Sequence, residues 1–467
     1  MKIPVISSRT IVLALLSALP TGQVVAQSTG TPTVSSPTET PTVLSIPVPG
    51  PPTTPTVSSA TTTLPASTPT TASTSGAQTA AAGSTPWIYS LFDQRLPIQF
   101  GVQANESYSD NIFFQPTKTN DYITEISPFL VLTLGNKIAL EQQLQQETID
   151  DYTGSANLDF LQVSYHPTIR LFARDSFLNI VDEFADALYA HQFTKLTVAL
   201  EQNYQKLSQP TIQDSAAGTL VHRDIFTTTA RANYAYSDQL STYGTVTQIV
   251  SHYLTNGHTD SNSWEGDGYF LYALFPKMSL GFGPRIGWVD VAKAPNQVYQ
   301  AGLVHLAYAV TDKVNLAASA GLEVREFQDH STTNKITPVF DAAATYEPFD
   351  STTLTLVGSR HSVVSNSQIG QNYTATAFSV AVRQRLLQVI YLTVSGGFEN
   401  DEYDALGSGA SAARDDDFYF LYSGLEWKSN KGGLEFNAGY QYTRDESTFN
   451  FFSFNENRFT LSATLTY

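Results

Sequence analysis

From Ile98 to Tyr467 most of the chain alternates between apolar and polar residues at every second position. Leu434, Phe436, Ala438, Tyr440 and Tyr442 fall on one face of an extended segment, with Glu435, Asn437, Gly439 and Gln441 on the other. Leu316, Ala318, Ala320, Leu322 and Val324 alternate with Ala317, Ser319, Gly321, Glu323 and Arg325. Phe378, Val380 and Val382 alternate with Ser379, Ala381, Arg383 and Arg385. Successive side chains of a strand point to opposite faces, so this period predicts strands between an apolar and a polar medium. A half-buried strand of a soluble sandwich would alternate in the same way, and the connections discriminate between the two.

Tight turns are expected at Ser237-Asp238-Gln239, Phe275-Pro276-Lys277, Thr311-Asp312-Lys313, Pro348-Phe349-Asp350 and Asn430-Lys431-Gly432, each between long alternating segments. Longer polar connections fall near 254–263, 289–297, 328–335, 402–416 and 446–456. Short turns at one rim and long loops at the other are the asymmetry of outer-membrane barrels. The fold class is therefore all-β: a transmembrane antiparallel β-barrel of about 18 strands (roughly 16–20) over residues 98–467. The spread comes from residues 136–155, where Ala139 to Glu147 read either as a short periplasmic helix or as a strand. The strand reading, with a further break near His166-Pro167, raises the count to about 20.

Two segments precede the barrel. Residues 1–26 read as a signal peptide: Lys2 and Arg9 carry the positive charge, Ile11 to Leu19 form the apolar stretch, and Val24-Val25-Ala26 offers a small-residue cleavage site. Residues 27–97 read as a disordered Thr/Ser/Pro-rich periplasmic linker, whose Thr/Pro tracts have too little apolar surface to offset the entropy of ordering. Attachment of this tether to periplasmic material is one functional reading. No later run reaches the roughly 18 apolar residues of a helical span, so insertion into a membrane would use strands.

Composition sharpens this reading. Charged residues are 14% of the chain, against about 25% in a typical soluble domain, while aromatics reach 12%. The absence of cysteine excludes disulfides, thiolate chemistry and a lipid-modified N-terminal cysteine. A net charge of −17 without a basic cluster argues against a nucleic-acid partner.

The last segment places Phe459, Leu461, Ala463, Leu465 and Tyr467 on one face and ends in an aromatic. Phe459, Leu461, Leu465 and Tyr467 are the candidate signal read by the barrel assembly machinery. Further stretches are Glu106 to Phe113 with Ile126-Ser127-Pro128, Pro295 to Tyr299, Tyr346 to Asp350, Gly370 to Thr376 and Ser395 to Asn400. In these the chain resembles the second type of outer-membrane beta-barrel porin family, whose members include proteins linked to exopolysaccharide production. The resemblance implies an outer-membrane barrel of a Gram-negative-type bacterium and supplies no catalytic residues.

No G-x-S-x-G elbow, P-loop or H-E-x-x-H motif is present, and the histidines lack metal-ligand spacing. No cofactor and no metal site are expected. His305 and His361 read as solvated lumen histidines in preference to catalytic ones. Arg414-Asp415-Asp416-Asp417 reads as a solvated loop in preference to a divalent-cation site. The candidate lumen-lining charges are Glu323, Arg325, Arg383, Arg385 and Glu435, since Arg facing lipid at mid-depth would cost about 2–4 kcal/mol. If Glu323 and Arg325 oppose Arg383 and Arg385, a transverse field would cross the pore. The leading expectation is a non-enzymatic porin-like channel or exopolysaccharide-export accessory, with outer-membrane lipid as solvent and polysaccharide or export-complex proteins as candidate partners. The alternatives are a structural tether to periplasmic material and a barrel enzyme acting on lipid or polysaccharide.

Overall fold

A computed structural model describes residues 98–135, 159–209, 221–255, 258–292, 295–328, 334–364, 372–404, 414–429 and 433–467. The expected signal peptide, linker and 136–155 segment lie outside these residues. The strands are β1 (Ile98–Ser109), β2 (Asp121–Gly135), β3 (Asp159–Phe172), β4 (Ile180–Gln192), β5 (Leu196–Gln209), β6 (Val221–Ala235), β7 (Leu240–Tyr253), β8 (Ser261–Phe275) and β9 (Met278–Val291). They continue as β10 (Gln297–Thr311), β11 (Val314–Phe327), β12 (Lys335–Phe349), β13 (Thr352–Val364), β14 (Asn372–Leu387), β15 (Ile390–Tyr403), β16 (Asp415–Lys428), β17 (Leu434–Ser447) and β18 (Phe454–Thr466).

Each strand pairs antiparallel with the next, and β18 returns to β1 over Gly101↔Thr466 to Ser109↔Arg458. The result is a closed barrel of 18 strands, as the turn rhythm predicts. Closure pairs every strand on both sides along most of its length, which lets strands cross a membrane with little unpaired backbone facing lipid. The start of β1 and the end of β18 meet at the short-turn rim, where Tyr467 N–H donates to Phe100 O and the two rings stack at 5.5 Å. That rim carries connections 193–195, 236–239, 276–277, 312–313, 350–351 and 388–389, while the opposite rim carries 110–120, 254–260, 404–414 and 448–453.

The two faces separate by chemistry. Phe100, Phe226, Phe282, Leu322, Phe378 and Leu461 are exposed on the outside, whereas Glu125, Arg170, Asp182, Glu265, Arg285 and Glu323 are buried on the inside. Leu322 is 59% exposed and its neighbour Glu323 only 4%, so a single residue step crosses the wall.

Proline interrupts the ladder at three places. β3 runs through Pro167 without ending, but its pairing with β2 skips from Ile126↔Ile169 to Leu130↔Tyr165, past Pro128 and Pro167, and the hydroxyls of Ser127 and Thr168 meet there at 2.8 Å. The expected break near His166-Pro167 is thus a gap in pairing within one strand. Next to Pro284 the β8–β9 register jumps from Asp267↔Arg285 to Phe270↔Phe282. Here a Cβ on Gly283 would run into the Gly268 carbonyl oxygen, so the close approach of the two backbones requires glycine. At Pro338 the interruption is never repaired: β12 and β13 pair only as far as Phe340↔Arg360, although β12 continues to Lys335 and β13 to Val364.

Candidate functional site

Beyond Arg360 the end of β13 parts from β12 and turns inward with the start of β14, which remains paired with β15 as far as Tyr373↔Tyr403. β13 and β14 stay paired with each other, Val364 opposite Asn372 and His361 opposite Ala375. In this tip the alternation of burial disappears: His361, Ser362, Val363, Val364, Asn372, Tyr373, Thr374 and Ala375 are all less than a tenth exposed. Both faces of the hairpin are therefore covered, which a strand in the barrel wall with lipid on one side cannot achieve.

The contacts say what covers it. Ser362, Val364, Asn372 and Thr374 continue the positions that face outward lower in the same strands, yet they rest on the inner wall of β9–β12. Arg325 Nη2 donates to Ser362 O at 3.1 Å, and Lys335 Nζ donates to Thr374 Oγ1 at 3.1 Å. Gln297 and Asn372, four strands apart, exchange two side-chain hydrogen bonds of 3.0 Å each. Val364 packs with Val289, Val291 and Tyr299. On the other face Val363 and Ala375 pack with Tyr373 and Tyr403, whose rings stack at 4.7 Å. The hairpin is folded into the mouth at the long-loop rim and narrows it.

Beneath the tip lies a chain of charges. Tyr299 donates from its hydroxyl to Glu265 Oε2 at 2.6 Å, and Arg285 Nε stands 3.3 Å from Glu265 Oε1. Arg325 holds Glu323 at 2.9 Å, donates to Gln297 Oε1 at 3.1 Å and lies over the Tyr299 ring at 4.5 Å. His361 meets Asp341 at 2.8 Å. These groups surround a cavity of about 20 Å3 beside Ser362, room for one water. Buried ions of this kind persist only when paired, since each would otherwise cost several kcal/mol of lost hydration, on the order of 3–5 kcal/mol when a partner is removed.

The five lumen candidates fall into two groups at different depths. Glu323 and Arg325 belong to the cluster under the hairpin. Arg383 pairs with Glu426 at 2.8 Å near the short-turn rim, where Lys428 also holds Glu426 at 2.9 Å and Glu435 at 3.5 Å. Arg385 is exposed at the end of β14, its N–H bonded to Ser351 O. Glu323, Arg325, Arg383 and Glu435 are each compensated by a neighbour, and the two groups do not face one another as opposed patches. His305 and His361 point inward but are packed, not solvated: His305 is 1% exposed against Tyr269. Arg414 is buried with Asp416 and the Tyr403 and Phe452 rings. Asp415 and Asp417 occupy the opposite face from Asp416, where Asn400 Nδ2 donates to both, so the three aspartates do not converge. Among the described residues no group of three acidic or histidine side chains has metal-binding geometry. Phe459 and Leu461 face outward at 54% and 64% exposure, Leu465 is half-buried on the same face, and Tyr467 is exposed at the rim.

Sequence reasoning missed the folded-in hairpin and with it Glu265, Arg285, Tyr299, Gln297, Asp341 and Asn372. Two signals existed: Pro338, which has no N–H for the ladder, and Val363-Val364, adjacent apolar residues where alternation demands one polar.

Residues 296–467 match the family described as Putative beta-barrel porin 2. No curated protein matches the chain. Among solved structures, OpdK of Pseudomonas aeruginosa, crystallised with vanillate, aligns at 9% identity over 79% of this chain and 99% of its own, with a TM-score of 0.41. OccAB4 of Acinetobacter baumannii aligns at 11% identity over 79% and 98%, with a TM-score of 0.42. OccK3 of Pseudomonas aeruginosa aligns at 10% identity over 81% and 98%, with a TM-score of 0.41. The family match and the apolar outer belt point to a barrel in a Gram-negative outer membrane.

Proposed function

We propose that this porin-like barrel is an outer-membrane channel for small polar or charged solutes, with the β13–β14 hairpin as the constriction that selects among them. The observation that carries the reading is the folded-in hairpin resting on a paired set of charges. A barrel of 18 strands encloses more room than its wall side chains fill, and a hairpin drawn into the mouth would reduce that room. The charges at the contact, Glu323 with Arg325 and Glu265 with Arg285, are buried beneath the hairpin and would hold it in that position. Export of exopolysaccharide is the second reading, and it requires the hairpin to move aside for a polymer.

The test is reconstitution of the purified full chain in planar bilayers and in liposomes loaded with sugars of graded size. Discrete conducting steps and size-limited sugar entry are the expected results. Verified insertion without conduction or sugar entry would overturn the channel reading. Passage of oligosaccharides as readily as monosaccharides would favour the export reading over selection at the hairpin.

A further inference from the structure

The outer surface carries a second feature that the channel reading does not use. On the lipid-facing side, strand register lines up Tyr122, Tyr108, Phe459, Tyr440 and Ser423 in one row from β2 to β16. The Tyr108–Tyr122 and Tyr440–Phe459 rings lie 5.0 and 4.8 Å apart. Such a row of aromatics marks the membrane interface. The next row toward the short-turn rim reads Thr124, Glu106, Leu461, Ala438, Leu425 and Leu392. Ala438 is a short side chain between two exposed leucines, and around it opens a groove of about 620 Å3, within the range of about 300–1,000 Å3 typical of small-molecule sites. Leu425, Leu461, Phe459 and Tyr440 form its walls, and Glu106 stands at one end.

Glu106 is out of place there. It is exposed on the outer face, two residues from Tyr108 and hence about 6.6 Å along the strand on the membrane side of the aromatic row. Its one hydrogen bond among those resolved comes from Thr124 Oγ1, at 2.6 Å to Oε2, whereas a carboxylate has room for about four donors. An ionisable side chain at membrane depth is expensive unless something pairs with it. The backbone on both sides is fully laddered, β1 to β18 and β1 to β2, so no strand can add at this place. What bathes the groove is lipid.

We propose that this groove binds a membrane lipid with an ammonium-bearing headgroup, its acyl chain lying over Ala438 between Leu425 and Leu461 and its ammonium donating to Glu106. The apolar walls set the place of the chain, and the carboxylate sets the charge of the head. The proposal rests on the barrel being membrane-embedded, as proposed above, but not on its conducting anything.

The test is native mass spectrometry of the detergent-purified full chain titrated with phosphatidylethanolamine or phosphatidylglycerol. Barrel integrity is followed separately by heat-modifiable gel mobility, so a failed barrel is told apart from a failed site. Wild type is expected to retain phosphatidylethanolamine about 10-fold better than phosphatidylglycerol, as one partly desolvated ion pair would give. Glu106→Gln should bring the two lipids to within about two-fold of each other, and Ala438→Phe should fill the groove and abolish retention of both. Equal retention of the two lipids by wild type, or undiminished retention by folded Ala438→Phe, would overturn the proposal. Dimers that carry no lipid and vanish on Ala438→Phe would also overturn it, by assigning the groove to a second copy of the chain.

Discussion

Replacing Arg325 with methionine should release the β13–β14 hairpin from the inner wall. Arg325 is 4% exposed and connects four groups: Glu323, Gln297, the Tyr299 ring and the carbonyl of Ser362 on the hairpin. Only the bond to Ser362 ties the hairpin directly, and a hydrogen bond from a charged donor contributes about 1.5–3 kcal/mol. Its loss shifts the ratio of docked to undocked hairpin by roughly 10- to 100-fold. The same substitution strands Glu323, also 4% exposed, without its cation, and an orphaned buried charge costs about 3–5 kcal/mol. A double variant, Glu323→Gln with Arg325→Met, removes that penalty and keeps only the lost anchor. β11 remains laddered to β10 and β12 in both variants, so the barrel should assemble. In single-channel recordings both variants should occupy the larger conductance at least about 10-fold more than wild type, with the double variant recovering heat stability that the single one loses. A ratio within about two-fold of wild type in both variants, with normal heat-modifiable mobility, would refute the hairpin as a gate.

Cysteines at Gln297 and Asn372, whose side chains already bond across four strands, should be bridged by a short bis-methanethiosulfonate, hold the small conductance and reverse on reduction; verified bridging without effect on current would count against gating. Phe459→Asp with Tyr467 deleted should lower the yield of heat-modifiable barrel, because it puts a charge on the outward face and removes the Phe100–Tyr467 stack that joins β1 to the end of β18; normal yield would make the terminal pattern incidental. Leu322→Arg should destabilise the barrel by up to about 2–4 kcal/mol while Leu322→Phe is tolerated, and equal denaturant midpoints would reverse the assignment of faces. Low pH should loosen the β1–β2 connection at Asp110: burial pushes this carboxyl up, but Lys118 and the two donors of Asn457 outweigh it and hold it below the usual carboxylate range. Its stabilising contribution is complete above an ordinary carboxylate value near 3.9 and is lost as pH falls through the lower folded value, so amide exchange at Asn457 should accelerate in acid and lose that dependence in Asp110→Asn.

The parts of the structure that were legible in the sequence are those fixed by neighbours along the chain. Leu322 and Glu323 reach opposite sides of the wall because adjacent residues of a strand must, and Asp312-Lys313 turns because two polar residues separate two alternating runs. The count of 18 follows from those turns. The inward direction of Glu323 and Arg325 follows from alternation, but their partners do not. Arg325 finds Ser362 and Arg383 finds Glu426 through curvature and register, which period two does not encode. His305 shows the same limit: alternation gives its direction, but its packing against Tyr269 depends on a strand two away in the barrel.

The three proline sites explain why the hairpin leaves the wall where it does. Each removes an N–H from a ladder, and a sheet tolerates this only at an edge or at a local gap. Past Pro128 and Pro167, and past Pro284, the ladder resumes on the far side, at Leu130↔Tyr165 and Phe270↔Phe282. Past Pro338 it does not, because the segments that would pair have a better use elsewhere. Ser362 O, Thr374 Oγ1 and Asn372 are satisfied by Arg325, Lys335 and Gln297 of the inner wall, and Val364 is buried among Val289, Val291 and Tyr299. The missing proline donor lowers what is lost by separating β12 from β13, and the buried contacts supply what is gained by folding inward. If that balance sets the constriction, Pro338→Val should restore a continuous ladder option and weaken the docked hairpin, raising the occupancy of the larger conductance even though residue 338 itself does not touch the hairpin's charges. Unchanged occupancy in Pro338→Val, alongside a large effect in Arg325→Met, would assign the infolding to the buried contacts alone.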